Sequence, residues 1–204
     1  KMLTMFGFDY LHLHTEYSMS SVAIELSKMT GIKMPYTYHT LWKMYYEQKF
    51  GALIGDLTYK TAKASMFNKV YKECPTIIVP SQKSYEILKE DSDKKDIRIL
   101  PSPVDVDRFK LNKEDREIIS QLKVKYKLKG KKVMGYVGRV SMEKNITETI
   151  YNLSRVISDI PNLVFMIVGV GDALKTLQKY AKKLKVEDHI IYVGQVPNNE
   201  LKHY

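Results

Sequence analysis

The chain has 204 residues, 44% of them apolar, and a formal net charge of +10 at neutral pH. That length and apolar share fit one or two globular domains, and no run of about 18 apolar residues is present to cross a bilayer as a helix. A single cysteine, Cys74, excludes an internal disulfide, and the opening stretch KMLTMFGFDYLHLH lacks a signal peptide's apolar core and cleavage site, so a cytoplasmic setting is expected.

In chain order, Asp9–Leu13 reads as a strand and Ser20–Thr30 as a helix with Val22, Leu26 and Met29 on one face, closed by Gly31. Met34–Tyr38 is a strand. A basic aromatic helix is expected over Asp56–Tyr71, with Ala62, Met66 and Val70 facing the core and Lys60, Lys63, Lys69 and Lys72 facing water or lipid headgroups. Thr76–Pro80 is a strand, Ser81 caps a helix over Lys83–Lys89, and Ile97–Leu100 is a further strand. Pro101-Ser102-Pro103 breaks regularity, and Asn112 caps a charged helix ending at Gly130. Alternation then resumes: strand Val133–Val137, a helix from Asn145, strand Leu163–Val168, helix Ala173–Leu184, strand Ile190–Val193, and a helix starting near Asn198.

Such alternation means parallel α/β sheets. The expected division is a first unit over residues 1–110, a connecting helix over 111–130 and a second unit over 131–204. Each unit has too few strands for a doubly wound domain, so the chain reads as part of a protein nearly twice as long. The positive charge favours acidic partners: phosphates, an anionic membrane surface or nucleic acid. No nucleic acid is expected, because zinc-finger spacing and the aromatic-glycine RNA-recognition signature are missing and the fifteen tyrosines are scattered.

The most informative run is GYVGRVSMEKN, residues 135–145. Apolar residues before Gly138 read as a buried strand, while Ile146, Ile150, Leu153 and Ile157 keep helical spacing after it. Arg139 and Lys144 therefore sit in a strand-to-helix turn, where free backbone N–H groups also point. A guanidinium fork and an ammonium at a helix N-terminus suit a diphosphate, although basic loop residues are often only solvated.

This run resembles the G-R-x-x-x-E-K-[NG] signature of the retaining nucleotide-sugar glycosyltransferases of family four, which have two Rossmann-like domains. Other stretches resemble the family in order and spacing. DYLHLHTEYS (9–18) is similar to a stretch of members that glycosylate diacylglycerol, and PYTYHTLW (35–42) ends a strand in His39-Thr40. PSPVDVDRF (101–109), IVGVGDALKTL (167–177) and IIYVGQVPNNEL (190–201) follow the linker, Gly-x-Gly and base-contacting segments.

The resemblance implies an α/β fold of two Rossmann-like domains facing across a cleft. It implies transfer of a hexose from a nucleotide-diphosphate sugar, UDP-glucose or UDP-galactose, to a hydroxyl of a membrane glycerolipid such as diacylglycerol, or of a sugar. Gly138, Arg139, Lys144, Asn145, Gly169, Gly171, Gly194, Gln195 and Val196 would hold the donor, with Gly169 and Gly171 letting the backbone approach it closely. His39 would act at the cleft with Arg139 and Lys144, and His14 and Glu16 would line the acceptor side. No metal or other cofactor is implied, and peripheral contact with the inner face of the cell membrane is.

Pro103 departs from the linker's usual glycine. The family's pair of glutamates separated by seven residues would lie beyond Tyr204, so this chain alone is expected to be inactive. Asp105-Val106-Asp107 falls in the linker and is not read as a metal site, Asp91-Ser92-Asp93 reads as a solvated turn, and His12 and His14 lack a third ligand for zinc. Two other readings stay open on the sequence: a non-catalytic basic module for anionic membrane surfaces, and a sugar-nucleotide epimerase on the same scaffold.

Overall fold

A computed structural model describes residues 7–93 and 96–204. The chain divides into two compact units, Lys1–Pro103 and Val104–Tyr204. Each carries a three-stranded, all-parallel sheet.

In the first unit α1 (Ser18–Thr30) leads into β1 (Tyr36–Thr37), followed by α2 (Trp42–Phe50), α3 (Ala52–Ala62), a π-turn (Lys63–Phe67) and α4 (Asn68–Glu73). Then come β2 (Ile77–Val79), α5 (Gln82–Asp91) and β3 (Ile97–Ile99), in sheet order β1-β2-β3. The expected strand Asp9–Leu13 is only a bridged segment: Tyr10 pairs with Lys33 and Leu13 with Tyr36, both parallel. It still places the ends of both segments side by side, through Leu13 N–H to Pro35 O and Thr37 N–H to Leu13 O, each 2.9 Å.

Two expectations for the helices are corrected. The buried positions of α1 are Ser20 and Ile24, while Val22 and Met29 are exposed. Ser20 tolerates burial because its hydroxyl donates to the carbonyls of Glu16 and Tyr17. The helix expected over Asp56–Tyr71 begins earlier, contains the π-turn, and packs against α2, a helix the sequence reading left out. Gly55 permits that packing, since a Cβ there would lie 2.4 Å from Glu47 Cα.

The first core is aromatic: Tyr36, Tyr38 and Phe67 are fully buried with Met34, Ile77, Val79 and Leu88. Lys63 is not a solvated lysine, because its ammonium donates to the Asp91 carboxylate at 2.7 Å and to the Asp91 carbonyl. Asp91 therefore does not belong to a solvated turn. It also accepts from Tyr59, and burial pushes its carboxyl up to about 6.

The second unit opens with α6 (Lys113–Lys125) and continues through β4 (Lys132–Val137), α7 (Ile146–Val156), β5 (Leu163–Val168), α8 (Leu174–Lys183) and β6 (Ile190–Gly194), in sheet order β4-β5-β6. β5 is central and nearly continuously buried, which explains why it is apolar at every position rather than alternating. Its Phe165 and Ile167 pack with Ile150 and Leu153 of α7 and Leu177 and Ala181 of α8.

Asn112 caps α6 as expected, in a reciprocal capping box with Asp115. The helix stops at Lys125 rather than Gly130, where Lys127 and Gly130 take positive φ. The helix expected near Asn198 is only a 3-10 turn, Leu201–His203. Lys202 Nζ and His203 Nε2 each lie 2.8 Å from the Asp115 carboxylate and tie that turn to the start of α6.

Candidate functional site

In parallel sheets every strand ends on the same edge, and open α/β sheets bind ligands at that carboxyl edge. In the second unit the loops after β4, β5 and β6 meet there and carry all the residues expected to hold a donor. The loops are knitted by main-chain bonds. Gly138 N–H donates to Val168 O and Val140 N–H to Val170 O, both at 3.0 Å, while Ala173 N–H returns to Val140 O at 3.1 Å. Gly169 N–H reaches Gly194 O at 2.8 Å.

A Cβ on Gly169 would stand 1.9 Å from Gly138 O, and one on Gly171 would stand 2.1 Å from Val140 O. At each glycine the neighbouring loop fills the space that a side chain would take.

On this frame the Arg139 and Lys144 side chains are exposed, and among the described residues neither forms an ion pair. Their backbones are held: Tyr136 OH donates to Arg139 O at 2.7 Å, and Lys144 N–H donates to Ser141 O at 3.1 Å. Asn145 takes φ 50°, a conformation asparagine tolerates, and it starts α7. Its side-chain amide is engaged with Glu148, so its contribution here is to shape the turn. Gln195 is exposed and Val196 half-buried beyond Gly194. Two cations without an ion-pair partner among the described residues thus stand beside the N-terminus of α7, where N–H groups lack intrahelical partners, an arrangement suited to an anion.

In the first unit His14 and His39 come together: His14 Nδ1 is 2.8 Å from His39 Nε2. His12 bonds Thr37 Oγ1 at 2.7 Å, and its ring lies 4.1 Å from that of His14. All three imidazoles are exposed. Burial first, then the neighbouring His12 and His39, hold His14 below the ordinary imidazole range.

Glu16 is different. It is 5% exposed and accepts from Tyr36 OH and, at 2.6 Å, from Trp42 Nε1. A carboxylate so enclosed braces β1 against α2, and the expectation that it lines an acceptor surface is corrected to that bracing role. This network, including Trp42, escaped the sequence reading.

Among the described residues no three His, Cys, Asp or Glu side chains are grouped to hold a metal. The Asp105-Val106-Asp107 carboxylates serve a local turn, Asp105 accepting from Asp107 N–H and Asp107 pairing with Lys110.

The fold is that of solved proteins built from two Rossmann-like domains. It superposes with a TM-score of 0.75 on HepE of Anabaena in complex with UDP and glucose, at 17% identity, covering 98% of this chain and 51% of that one. For WaaG, a glycosyltransferase involved in lipopolysaccharide biosynthesis, the TM-score is 0.68 at 14% identity, over 98% of this chain and 65% of that one.

The sequence narrows this. The profile of Glycosyltransferase Family 4 matches residues 1–108 and that of Glycosyl transferases group 1 matches residues 118–204, and the chain belongs to glycosyltransferase family 4. It is 27% identical to the alpha-monoglucosyldiacylglycerol synthase of Acholeplasma laidlawii over 199 residues, 96% of this chain and 50% of the relative. The synthase of the same name from Streptococcus pneumoniae is 25% identical, with 96% and 44% covered. The chain thus spans about half the length of these relatives.

Proposed function

We propose that this protein transfers a hexose, with retention, from UDP-glucose or UDP-galactose to a hydroxyl of a membrane glycerolipid such as diacylglycerol. The observation that carries the reading is the pair of unpaired cations, Arg139 and Lys144, on the rigid loop before α7. Departure of a diphosphate builds negative charge on oxygen as positive charge grows at the anomeric carbon. A guanidinium and an ammonium fixed at that place stabilise the departing group without reorganising, and they fill the role a divalent ion would otherwise take. His39 orients the transferred sugar. The lipid acceptor follows the two named synthase relatives and the diacylglycerol-type stretch around His14.

The proposed seat of peripheral membrane contact is the α2–α3 hairpin. Phe50, Leu53, Ile54 and Leu57 are 42%, 89%, 64% and 67% exposed there, flanked by Lys49 and Lys60. This surface replaces the lysine set first expected. Lys60 pairs with Asp56 at 2.6 Å and Lys63 is engaged by Asp91, leaving Lys69 and Lys72 of the four without a carboxylate partner among the described residues. Apolar side chains that enter the headgroup boundary and nearby cations act together in such contacts.

The test is transfer by the full-length protein. Arg139→Ala and Lys144→Ala each lower turnover by about a hundredfold or more, the scale of losing one transition-state donor. A chelator leaves wild-type activity in place. Unchanged turnover in either variant, or activity that requires manganese, overturns the reading.

A further inference from the structure

The contact between His14 and His39 constrains more than position. A neutral imidazole carries one N–H and one bare nitrogen. The 2.8 Å bond between His14 Nδ1 and His39 Nε2 needs a single proton between them. If His14 donates, its Nε2 is bare and His39 carries its proton on Nδ1. If His39 donates, its Nδ1 is bare and His14 carries its proton on Nε2. With both rings neutral, the two outward nitrogens are one donor and one acceptor in either case.

The pair is also held in place. Leu13, next to His14, is bonded to Pro35 and Thr37, and Thr37 anchors His12 through its hydroxyl. The rings of His14 and His39 meet edge to edge through that bond, with centroids 5.1 Å apart and 21° between planes. His12 and His39 are the ionisable groups that act on His14, and with burial they disfavour its cation.

We propose that His14 and His39 form a neutral, proton-sharing site for hydroxyl groups, in which His14 sets which nitrogen of His39 carries the proton. A hydroxyl both donates and accepts, so it matches a surface offering one acceptor and one donor. An ionised carboxylate, or the fully ionised diphosphate of a nucleotide sugar, only accepts, and it leaves the bare nitrogen facing a lone pair. The ligand class is therefore a neutral polyol, the transferred sugar or the glycerol end of an acceptor, and not the diphosphate. This deepens the transfer reading given above and assigns His14 as a positioning residue for His39.

Imidazole 15N spectra of the protein at pH 7 decide the pairing without reference to activity. The expected result is one protonated and one bare nitrogen on each ring. His14→Leu should shift the His39 nitrogens, and His14→Asn, whose amide can still donate to or accept from His39 Nε2, should restore the wild-type pattern on His39. His39 resonances indifferent to both variants would overturn the pair. Sulfate at pH 7, which accepts only, should leave both histidines in place; a shift on both would overturn the hydroxyl assignment.

In transfer assays His14→Leu should lose about tenfold or more in kcat with little change in donor KM, and His14→Asn should recover most of it. Two full-activity variants alongside a confirmed pair would overturn the positioning role. His39→Ala with wild-type turnover would instead count against the role of His39 in the transfer reading, while the spectra would still decide the pair.

Discussion

Replacing Gly171 by alanine isolates what holds the loops after β4 and β5 together. The φ of Gly171 lies outside the left-handed region, so the substitution carries no backbone penalty of its own, and the cost is steric. The new Cβ would stand 2.1 Å from Val140 O and 2.6 Å from Val140 C, and backbone cannot swing away as a side-chain tip can. Relieving that overlap means parting the β4 and β5 loops by about an ångström, enough to break the 3.0 Å bond from Val140 N–H to Val170 O and the 3.1 Å bond from Ala173 N–H to Val140 O.

At roughly 0.5–1.5 kcal/mol each, the two bonds set a loss of about 1–3 kcal/mol in unfolding free energy. Arg139 precedes Val140 and moves with it, so UDP affinity should fall at least tenfold, in line with the cost of about 1 Å of misplacement. Gly135→Ala is the control, because a Cβ there meets nothing within 4 Å. Denaturant melts and UDP calorimetry on both variants make the comparison. A Gly171→Ala protein as stable and as tight-binding as the Gly135→Ala control would refute the steric account.

Glu16→Ala should cost about 1–3 kcal/mol in denaturant melts, because the buried Tyr36 OH is left without an acceptor and the half-buried Trp42 Nε1 loses its partner; equal melts would return Glu16 to a surface role. The Asn112 N–H, then Lys202 and His203, hold the Asp115 carboxyl well below the usual range. Its contribution is therefore present above an unfolded-state pKa of about 3.9 and is lost as pH falls below that value. Asp115→Asn should flatten the acid side of the stability profile while lowering stability at pH 7, and an unchanged acid limb would contradict this. Leu53→Asp with Leu57→Asp should release the full-length protein from vesicles containing anionic lipid, whereas neutralising Lys63 should not change binding; sedimentation with retained binding would clear the hairpin of the membrane role.

The strands of the second unit were legible because parallel central strands are apolar throughout: Leu163–Val168 is read from the sequence with both ends correct. The first unit was harder. Trp42, Tyr45, Tyr46 and Phe50 hold helical spacing that marks α2, yet the neighbouring strand-end motif drew the reading toward extended chain. Val22 and Met29 were misplaced because Ser20, a polar residue, occupies the buried stripe of α1. The strand-to-helix switch placed Arg139 and Lys144 in one exposed loop before α7, as the structure has them. The Glu16 network could not, since it joins residues twenty or more positions apart whose types carry no local pattern.

The loops of the second unit are joined by main-chain bonds, and at Gly169 and Gly171 the neighbouring loop leaves no room for a side chain. Arg139, Lys144 and Gln195 stand on that frame with their side chains exposed. A lineage can therefore exchange these exposed groups one at a time without re-solving the fold beneath them. On the proposed function, the same arrangement gives an engineer a place to change donor preference: vary the exposed positions, and leave the two glycines alone.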